Sequence, residues 1–130
     1  MTTVLLDTHA LYWSDARPER LSSAARSAIS GADELAVASI TWYELAWLAQ
    51  RGRLEPQIPI RSWLTQLATQ VRTVATMPAI AATAVSLPAS FPGDPADRII
   101  YATAIEYGWP LVTRDERMRA HAGVQPIVVW

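Results

Sequence analysis

The sequence predicts an α/β fold with a central, mostly parallel sheet. Short apolar runs of strand length alternate with longer stretches that carry helix caps and helical spacing, which is typical of parallel strands connected by helices. The chain has 130 residues, the length of one ordinary domain. It contains no internal repeat and no linker-like tract, so we expect a single domain over residues 1–130.

The first third of the chain predicts two strands and two helices. Residues 4–6 are an apolar run that ends at Asp7 and predicts a buried strand. A helix is expected to begin over residues 8–14, and a second over residues 22–29 that stops near Gly31. Residues 35–38 are again short and apolar, which predicts the second buried strand.

The middle third begins with a helix over residues 42–50 that ends before Gly52. Either Ser39 or Thr41 can cap this helix, because both carry a hydroxyl just ahead of its first turn. The pattern then predicts, in order, a helix over 63–70, a strand over 71–74 and a helix over 78–86 opened by Pro78.

The last third contains the clearest helix signal in the chain. Asp94 is the expected N-cap, Pro95 lies in the first turn, and Gly108 stops the helix after Tyr107. Two apolar runs follow it, and they predict strands over residues 110–113 and 127–129.

Composition excludes several classes of protein. There is no cysteine, so disulfides, thiolate zinc sites and cysteine nucleophiles are excluded. All eleven basic residues are arginine, and the missing lysine excludes P-loop NTPases and Schiff-base enzymes. No apolar run approaches a membrane span and no signal peptide is visible, so we expect a cytoplasmic protein without membrane contact.

Two aspartates follow predicted core strands directly. Asp7 comes after the first strand, and Asp115 comes after the strand at 110–113 with only Arg114 between. The carboxyl ends of parallel strands share one edge of the sheet, where ligands bind in open α/β folds. Glu44 and Asp97 lie near the starts of helices that are expected to leave the same edge, so four carboxylates are predicted to converge.

Four carboxylates in one cleft repel each other unless a cation neutralises them. An all-oxygen set without His or Cys suits Mg²⁺ or Mn²⁺, and these ions serve phosphoryl chemistry by activating water and by stabilising charge on phosphate. The sequence therefore predicts a divalent-metal site that acts on phosphoesters.

Helix capping is the competing interpretation of each acid. Asp94 is explained by its role as an N-cap alone. Asp97 can complete a capping box or complement the helix dipole, and Glu44 near its helix start has the same explanation. Asp7 and Asp115 can cap the helices that follow them. Capping does not, however, require all of these residues to meet at one edge.

At these residues the sequence resembles PIN-domain proteins, and within them the VapC-type toxins of bacterial toxin–antitoxin pairs. The resemblance spans essentially the whole chain, including Gly52-Arg53-Leu54 and Trp130. Its four main segments are Val4–Leu11, Ser39–Ala46, Asp94–Ile100 with Ala102–Ala104, and Leu111–Asp115.

The resemblance implies which residues form the site. The family's acidic quartet falls on Asp7, Glu44, Asp97 and Asp115, with Asp94 as an additional or alternative acid. Thr113 matches a hydroxyl position that supports the site in relatives, and Thr8 is a second candidate for that role. Arg98 and Arg114 stand beside quartet acids and are candidate phosphate contacts, although Arg98 can instead pair with a nearby carboxylate or with the antitoxin. His9 is expected to serve packing or to lie on the surface.

The resemblance also implies a fold, an activity and partners. It implies a three-layer α/β/α domain and hydrolysis of RNA phosphodiester bonds with Mg²⁺ or Mn²⁺. The expected partners are RNA (transfer, ribosomal or messenger), a VapB-like antitoxin that inhibits the site, and a second copy of the chain in a homodimer. Trp42, Trp47 and Leu48 lie where they can line a dimer or antitoxin groove, although core packing explains their spacing equally well.

Two other functions compete with a ribonuclease toxin. One is a catalytically silent PIN-like module that binds RNA or protein, which the intact quartet argues against because unpaired buried carboxylates are costly. The other is a nuclease or phosphatase that acts on DNA or on a small phosphoester, since the metal chemistry is common to all three.

Overall fold

The computed structural model describes residues 1–121 and 126–130. Five strands form one sheet in the order β3-β2-β1-β4-β5, and each neighbouring pair is parallel. The strands are β1 (Thr3–Leu6), β2 (Glu34–Ala38), β3 (Arg72–Val74), β4 (Leu111–Val112) and β5 (Val128–Val129). This arrangement confirms the predicted α/β class with a parallel sheet.

Seven α-helices connect and cover the strands in the described part of the chain. They are α1 (Thr8–Ala16), α2 (Ser23–Gly31), α3 (Ile40–Gln50), α4 (Ile60–Ala68), α5 (Pro78–Ser86), α6 (Pro95–Tyr107) and α7 (Glu116–Ala120). A short 3₁₀ helix over Pro18–Arg20 follows α1. Within the described ranges, no helix has both the length and the apolar content to cross a membrane.

The helices form two layers because strand side chains alternate between the faces of the sheet. Leu5 packs in the cluster that contains side chains of α5 and α6. Val4 and Leu6 pack in the second cluster, with side chains of α1 to α4. The predicted three-layer α/β/α architecture is therefore present.

The order of the strands reverses at β1, which lies at the centre of the sheet. From β1 the chain continues to β2 on one side, and it later returns to place β4 on the other side. The carboxyl ends of β1 and β4 therefore flank the position at which open α/β sheets bind their ligands. Asp7 and Asp115 follow these two strands.

Several details differ from the sequence prediction. Ser39 occupies the N-cap position of α3 but its side chain makes no cap hydrogen bond. Thr41 is not a cap, because it is fully buried inside the first turn of α3. Helix α4 begins at Ile60 rather than Trp63, since Trp63 marks the buried face of the first turn and not the helix start. Helix α7 was expected only as the helix that Asp115 could cap, without bounds, and the 3₁₀ helix was not predicted.

Arg98 fixes the amino end of α6 to the segment before it. Its guanidinium donates hydrogen bonds to five backbone carbonyls, at 3.0–3.3 Å. The acceptors are the carbonyl oxygens of Ala84, Leu87, Pro88, Phe91 and Pro92. This side chain thereby positions the first turn of α6, which carries Asp97.

Replacing Arg98 with Lys should destabilise the protein by roughly 2–4 kcal/mol. An ammonium group cannot reproduce the planar fork of donors, so several carbonyls are left without a hydrogen bond. Urea denaturation measures the change. The matched control is Arg26→Lys on the exposed surface of α2, for which we expect a change within about 0.5 kcal/mol. Equal effects of the two substitutions would contradict this structural role.

Candidate active site

All four acids of the predicted quartet line one cleft of about 550 Å³. Asp7 and Asp115 reach it from the carboxyl ends of β1 and β4, at the reversal of strand order. Glu44 enters from α3, and Asp97 enters from the first turn of α6. The cleft therefore collects acids from four separate parts of the chain.

Asp7 is held by hydrogen bonds to both of its carboxylate oxygens. Oδ1 accepts from the backbone N–H of Ala10 at 2.8 Å, so Asp7 is the N-cap of α1. Oδ2 accepts from the hydroxyl of Thr113. The hydroxyl oxygen of Thr113 in turn accepts from the backbone N–H of Asp115 at 3.0 Å. Thr113 thus couples Asp7 to the segment that carries Asp115.

Glu44 is held by a second threonine. The hydroxyl of Thr8 donates to Oε1 of Glu44 and lies 3.3 Å from the hydroxyl of Thr41. Thr8 and Thr41 are both buried. Both of the predicted supporting residues, Thr8 and Thr113, are therefore hydrogen-bonded to quartet acids.

Arg117 lies at the site although the sequence did not predict it there. Its guanidinium lies 3.1 Å from Oδ2 of Asp115 and 3.6 Å from Oδ2 of Asp97. Asp115 caps α7, accepting from the backbone N–H groups of Arg117 and Met118. The signal for Arg117 was the helix that Asp115 starts, because that helix returns the second residue after the cap to the carboxylate.

Asp94 both caps a helix and joins the acidic group. Its Oδ1 accepts from the backbone N–H of Ala96 at 2.8 Å and of Asp97 at 3.4 Å. One carboxylate oxygen from each of Glu44, Asp94 and Asp97 lies within 4.8 Å of the other two. Capping and convergence, which the sequence offered as alternatives, therefore occur together.

Three helices direct their amino ends toward these acids. Asp7, Asp94 and Asp115 cap α1, α6 and α7 respectively. The amino end of a helix carries a partial positive charge and unpaired N–H groups, which stabilise nearby carboxylates. This arrangement offsets part of the repulsion among the acids.

Burial and repulsion nevertheless favour protonation of three of the acids. Burial raises the pKa of Asp7 to about 6, against the opposing effect of the Thr113 hydrogen bond. Burial and then the neighbouring charges of Asp94, Asp115 and Glu44 raise the pKa of Asp97 to about 7. Burial also raises the pKa of Glu44. These carboxylates therefore lack sufficient positive charge around them.

The pKa of Asp115 is shifted in the opposite direction. Burial acts to raise its pKa, but hydrogen bonds donated by the side chain and backbone of Arg117 and by the backbone of Met118 outweigh it. The pKa of Asp115 is consequently below its usual value. In the described residues, the ion pairs to the acids of this cleft come from Arg117 alone.

The other basic residues that the sequence singled out have different surroundings in the structure. Arg98 does not fit the role of a phosphate contact, because its guanidinium is engaged by five backbone carbonyls. Arg114 is exposed and lines the cleft. His9 also lines the cleft, and its ring lies 5.4 Å from that of Trp13.

The donor set of the cleft fits a hard divalent cation. Every candidate ligand is a carboxylate or hydroxyl oxygen, which matches the preference of Mg²⁺ and Mn²⁺. A cation among these acids would stabilise their ionised forms, against the burial and the neighbouring negative charges that raise the pKa values of Asp7 and Asp97.

Comparison with known proteins gives consistent matches. The family model described as PIN domain matches residues 4–124. A protein named Ribonuclease VapC22, from Mycobacterium tuberculosis, is 64% identical over 100% of both chains.

Solved structures share the fold at lower identity. A toxin–antitoxin complex from Klebsiella pneumoniae matches with a TM-score of 0.71 and 24% identity, covering 98% of this chain and 96% of that one. VapBC-5 from Mycobacterium tuberculosis, described as a member of the VapBC family of toxin–antitoxin systems, matches with a TM-score of 0.63 and 19% identity, with the same coverage.

The stability of the metal-free protein should fall as pH rises from about 4 to 7. The folded-state pKa values of Asp7 and Asp97 are raised above 3.8, so the folded state binds more protons than the unfolded state in this interval, and the free energy of unfolding decreases with pH. Asp7→Asn should flatten this dependence and stabilise the protein at pH 8 by roughly 1–3 kcal/mol.

Urea denaturation in EDTA at pH 5 and pH 8 measures this effect. The control is Asp15→Asn, on the exposed surface of α1, which should leave the pH dependence as it is in the wild type. A wild-type stability that is constant or increases toward pH 8 would show that the acids are already compensated.

Proposed function

The chain belongs to the PIN-domain family, and from that premise we propose that it is a metal-dependent ribonuclease acting as the toxin of a toxin–antitoxin pair. The observation that carries the proposal is the cleft of four acids at the reversal of strand order. The relative that is 64% identical over the full length is named a ribonuclease, which supports RNA over DNA or a small phosphoester as the substrate.

We propose that Asp7, Glu44, Asp97 and Asp115 hold Mg²⁺ or Mn²⁺, with Asp94 as an additional ligand. The all-oxygen donor set and the raised pKa values of Asp7 and Asp97 support this assignment. When bound, such an ion activates water and offsets negative charge on the phosphate.

The chain's own residues orient the acids for this chemistry. The hydroxyl of Thr113 fixes the rotamer of Asp7, and the hydroxyl of Thr8 fixes that of Glu44. Hydrogen bonds of this kind hold metal ligands in the geometry that an ion requires. Arg117 compensates Asp97 and Asp115, and its side chain is 68% exposed, so it is free to exchange these contacts for a phosphate oxygen.

A groove beside the cleft supports the proposed protein partners. It has a volume of about 370 Å³, and Tyr43, Trp47 and Leu48 of α3 line it together with Glu44 and Asp94. Tyr43 is 68% exposed, and apolar side chains beside an acidic site suit an inhibitory antitoxin segment. Trp42 does not line this groove, because its indole N–H donates to the hydroxyl of Thr73.

We also propose that the chain forms a homodimer and that it is located in the cytoplasm. Large apolar side chains such as Val85 and Met77 on the surface near α5 are 79% and 55% exposed, and such residues support a second interface. The structure from Klebsiella pneumoniae that shares this fold is described as a toxin–antitoxin complex, which supports an antitoxin as the partner of the α3 groove.

The alternative of a silent binding module has no observation in its favour. A binding role alone gives no reason to bury Asp7 and to raise its pKa to about 6, since an uncompensated carboxylate costs folding free energy.

Purified protein should cleave total cellular RNA into discrete fragments with Mg²⁺ or Mn²⁺ and should not cleave it in EDTA. Asp7→Asn should lower the rate by roughly 100-fold or more, because it removes one ligand and its charge. Gel electrophoresis followed by sequencing of the fragment ends measures the cleavage.

The control variant is Asp33→Asn, an acid that lies outside the cleft at the start of β2, which should cleave as the wild type does. Cleavage that persists in EDTA, or an Asp7→Asn variant with wild-type activity, would point to a contaminating nuclease and would contradict the proposal.

A further inference from the structure

A second cavity of about 260 Å³ adjoins the acidic cleft and is lined by three arginines, Arg17, Arg20 and Arg53. The cleft and this cavity share two lining residues, His9 and Trp13. A strongly anionic cleft therefore continues directly into a cationic surface, which we call the arginine groove.

The three arginines of the groove lie on segments that contribute no acid to the cleft. Arg17 and Arg20 come from the turn after α1, where the buried Leu21 anchors the 3₁₀ helix. Arg53 follows the end of α3, where Gly52 adopts a φ of 72° and the backbone N–H of Arg53 donates to the carbonyl of Leu48 at 2.9 Å.

Trp13 lies at the junction of the two cavities and contacts one arginine from each of them. The guanidinium carbon of Arg20 lies 6.0 Å from the centre of the Trp13 ring, and that of Arg114 lies 5.7 Å from it. Trp130 packs against the same ring, with centres 5.8 Å apart. Cation–π contacts of this kind restrict where a guanidinium group can point.

The charges of these arginines are available to a ligand. In the part of the chain that the structure describes, the arginines found in salt bridges are Arg72 and Arg117. Arg17, Arg20, Arg53 and Arg114 are all exposed. The acidic residues nearest in sequence to Arg17, Arg20 and Arg53 are Asp15, Glu19 and Glu55, which are exposed and do not line the groove.

We infer that the arginine groove binds the backbone phosphates of the RNA strand next to the bond that is cut, and that Trp13 is a positioning residue for Arg20 and Arg114. This inference rests on the proposed ribonuclease function. A net charge of −1 and an acidic cleft do not by themselves attract RNA, and the arginine groove is a cationic surface that adjoins that cleft. Arginine suits it because its fork of donors matches phosphate oxygens.

The test measures binding separately from cleavage. A fluorescently labelled, mixed-sequence single-stranded RNA oligonucleotide is titrated with the inactive Asp7→Asn protein in EDTA, and anisotropy is followed at several salt concentrations. Adding Arg20→Gln and Arg53→Gln should weaken binding roughly 10-fold at low salt. It should also reduce the slope of log K against log salt by about 1.4, or about 0.7 for each phosphate that the protein no longer neutralises.

The matched control removes the same charge elsewhere. Arg26→Gln with Arg72→Gln changes the net charge equally, but these residues line neither the cleft nor the groove. The control should change the affinity less than about 2-fold. Equal weakening by both pairs would reduce the effect to net charge, and no weakening by the groove pair would show that the groove does not bind the RNA backbone. Either result overturns the inference.

Trp13 is tested in the active protein. Trp13→Leu should raise KM for the RNA substrate several-fold with little change in kcat, and Trp13→Phe should restore most of the affinity because it keeps an aromatic face. Equal KM values for Trp13→Leu and the wild type would remove the positioning role. The two proposals can fail separately. If the protein cleaves no RNA but the groove variants still bind RNA more weakly, the inference about the groove holds and only the proposed ribonuclease function is rejected.

Discussion

The burial and mutual repulsion of carboxylates brought to one edge of a parallel sheet are the constraint on which the rest of this structure depends. The chain places Asp7 at the end of the central strand and Asp115 at the end of its neighbour. Helices α3 and α6 then deliver Glu44 and Asp97 to the same cleft. Burial raises the pKa of Asp7 to about 6, so the fold holds these acids together at a cost.

The surrounding structure reduces that cost without removing it. Asp7, Asp94 and Asp115 each cap a helix, so backbone N–H groups and helix dipoles face the acids. Two threonine hydroxyls fix the side chains of Asp7 and Glu44. Arg117 supplies one exposed positive charge. What remains uncompensated is the charge that a divalent cation would balance. In the same way, the cationic groove beside the cleft would balance the negative charge of the proposed RNA substrate.

Local signals in the sequence were sufficient for the fold and for the backbone positions of the acids. The Asp94-Pro95 start and the Gly108 stop of α6 were predicted to the residue, because capping and a φ of 68° are properties of the local chain. The alternation of strands and helices then placed Asp7 and Asp115 at one edge. Contacts that depend on the direction of a long side chain could not be predicted from the sequence.

Arginine contacts show this limit most clearly. Arg98 was expected at phosphate because it follows Asp97, but its side chain turns back to carbonyls 6 to 14 residues earlier in the chain. Arg117 was overlooked because the helix that Asp115 could cap was given no bounds, so the residues that its first turn brings back to the carboxylate were not identified. Arg20 and Arg114 both contact Trp13, although they come from segments that are distant in sequence. Neither hydrophobic periodicity nor helix-capping signals can predict a contact of this kind.

Binding of Mn²⁺ to the purified protein, followed by electron paramagnetic resonance, tests the central claim most directly. If uncompensated carboxylates define the site, the wild type should bind Mn²⁺ saturably, Asp97→Asn should bind at least about 10-fold more weakly, and Arg117→Gln should bind more tightly because a competing cation is gone. Absence of saturable binding by the wild type, or equal binding by Asp97→Asn, would contradict the account.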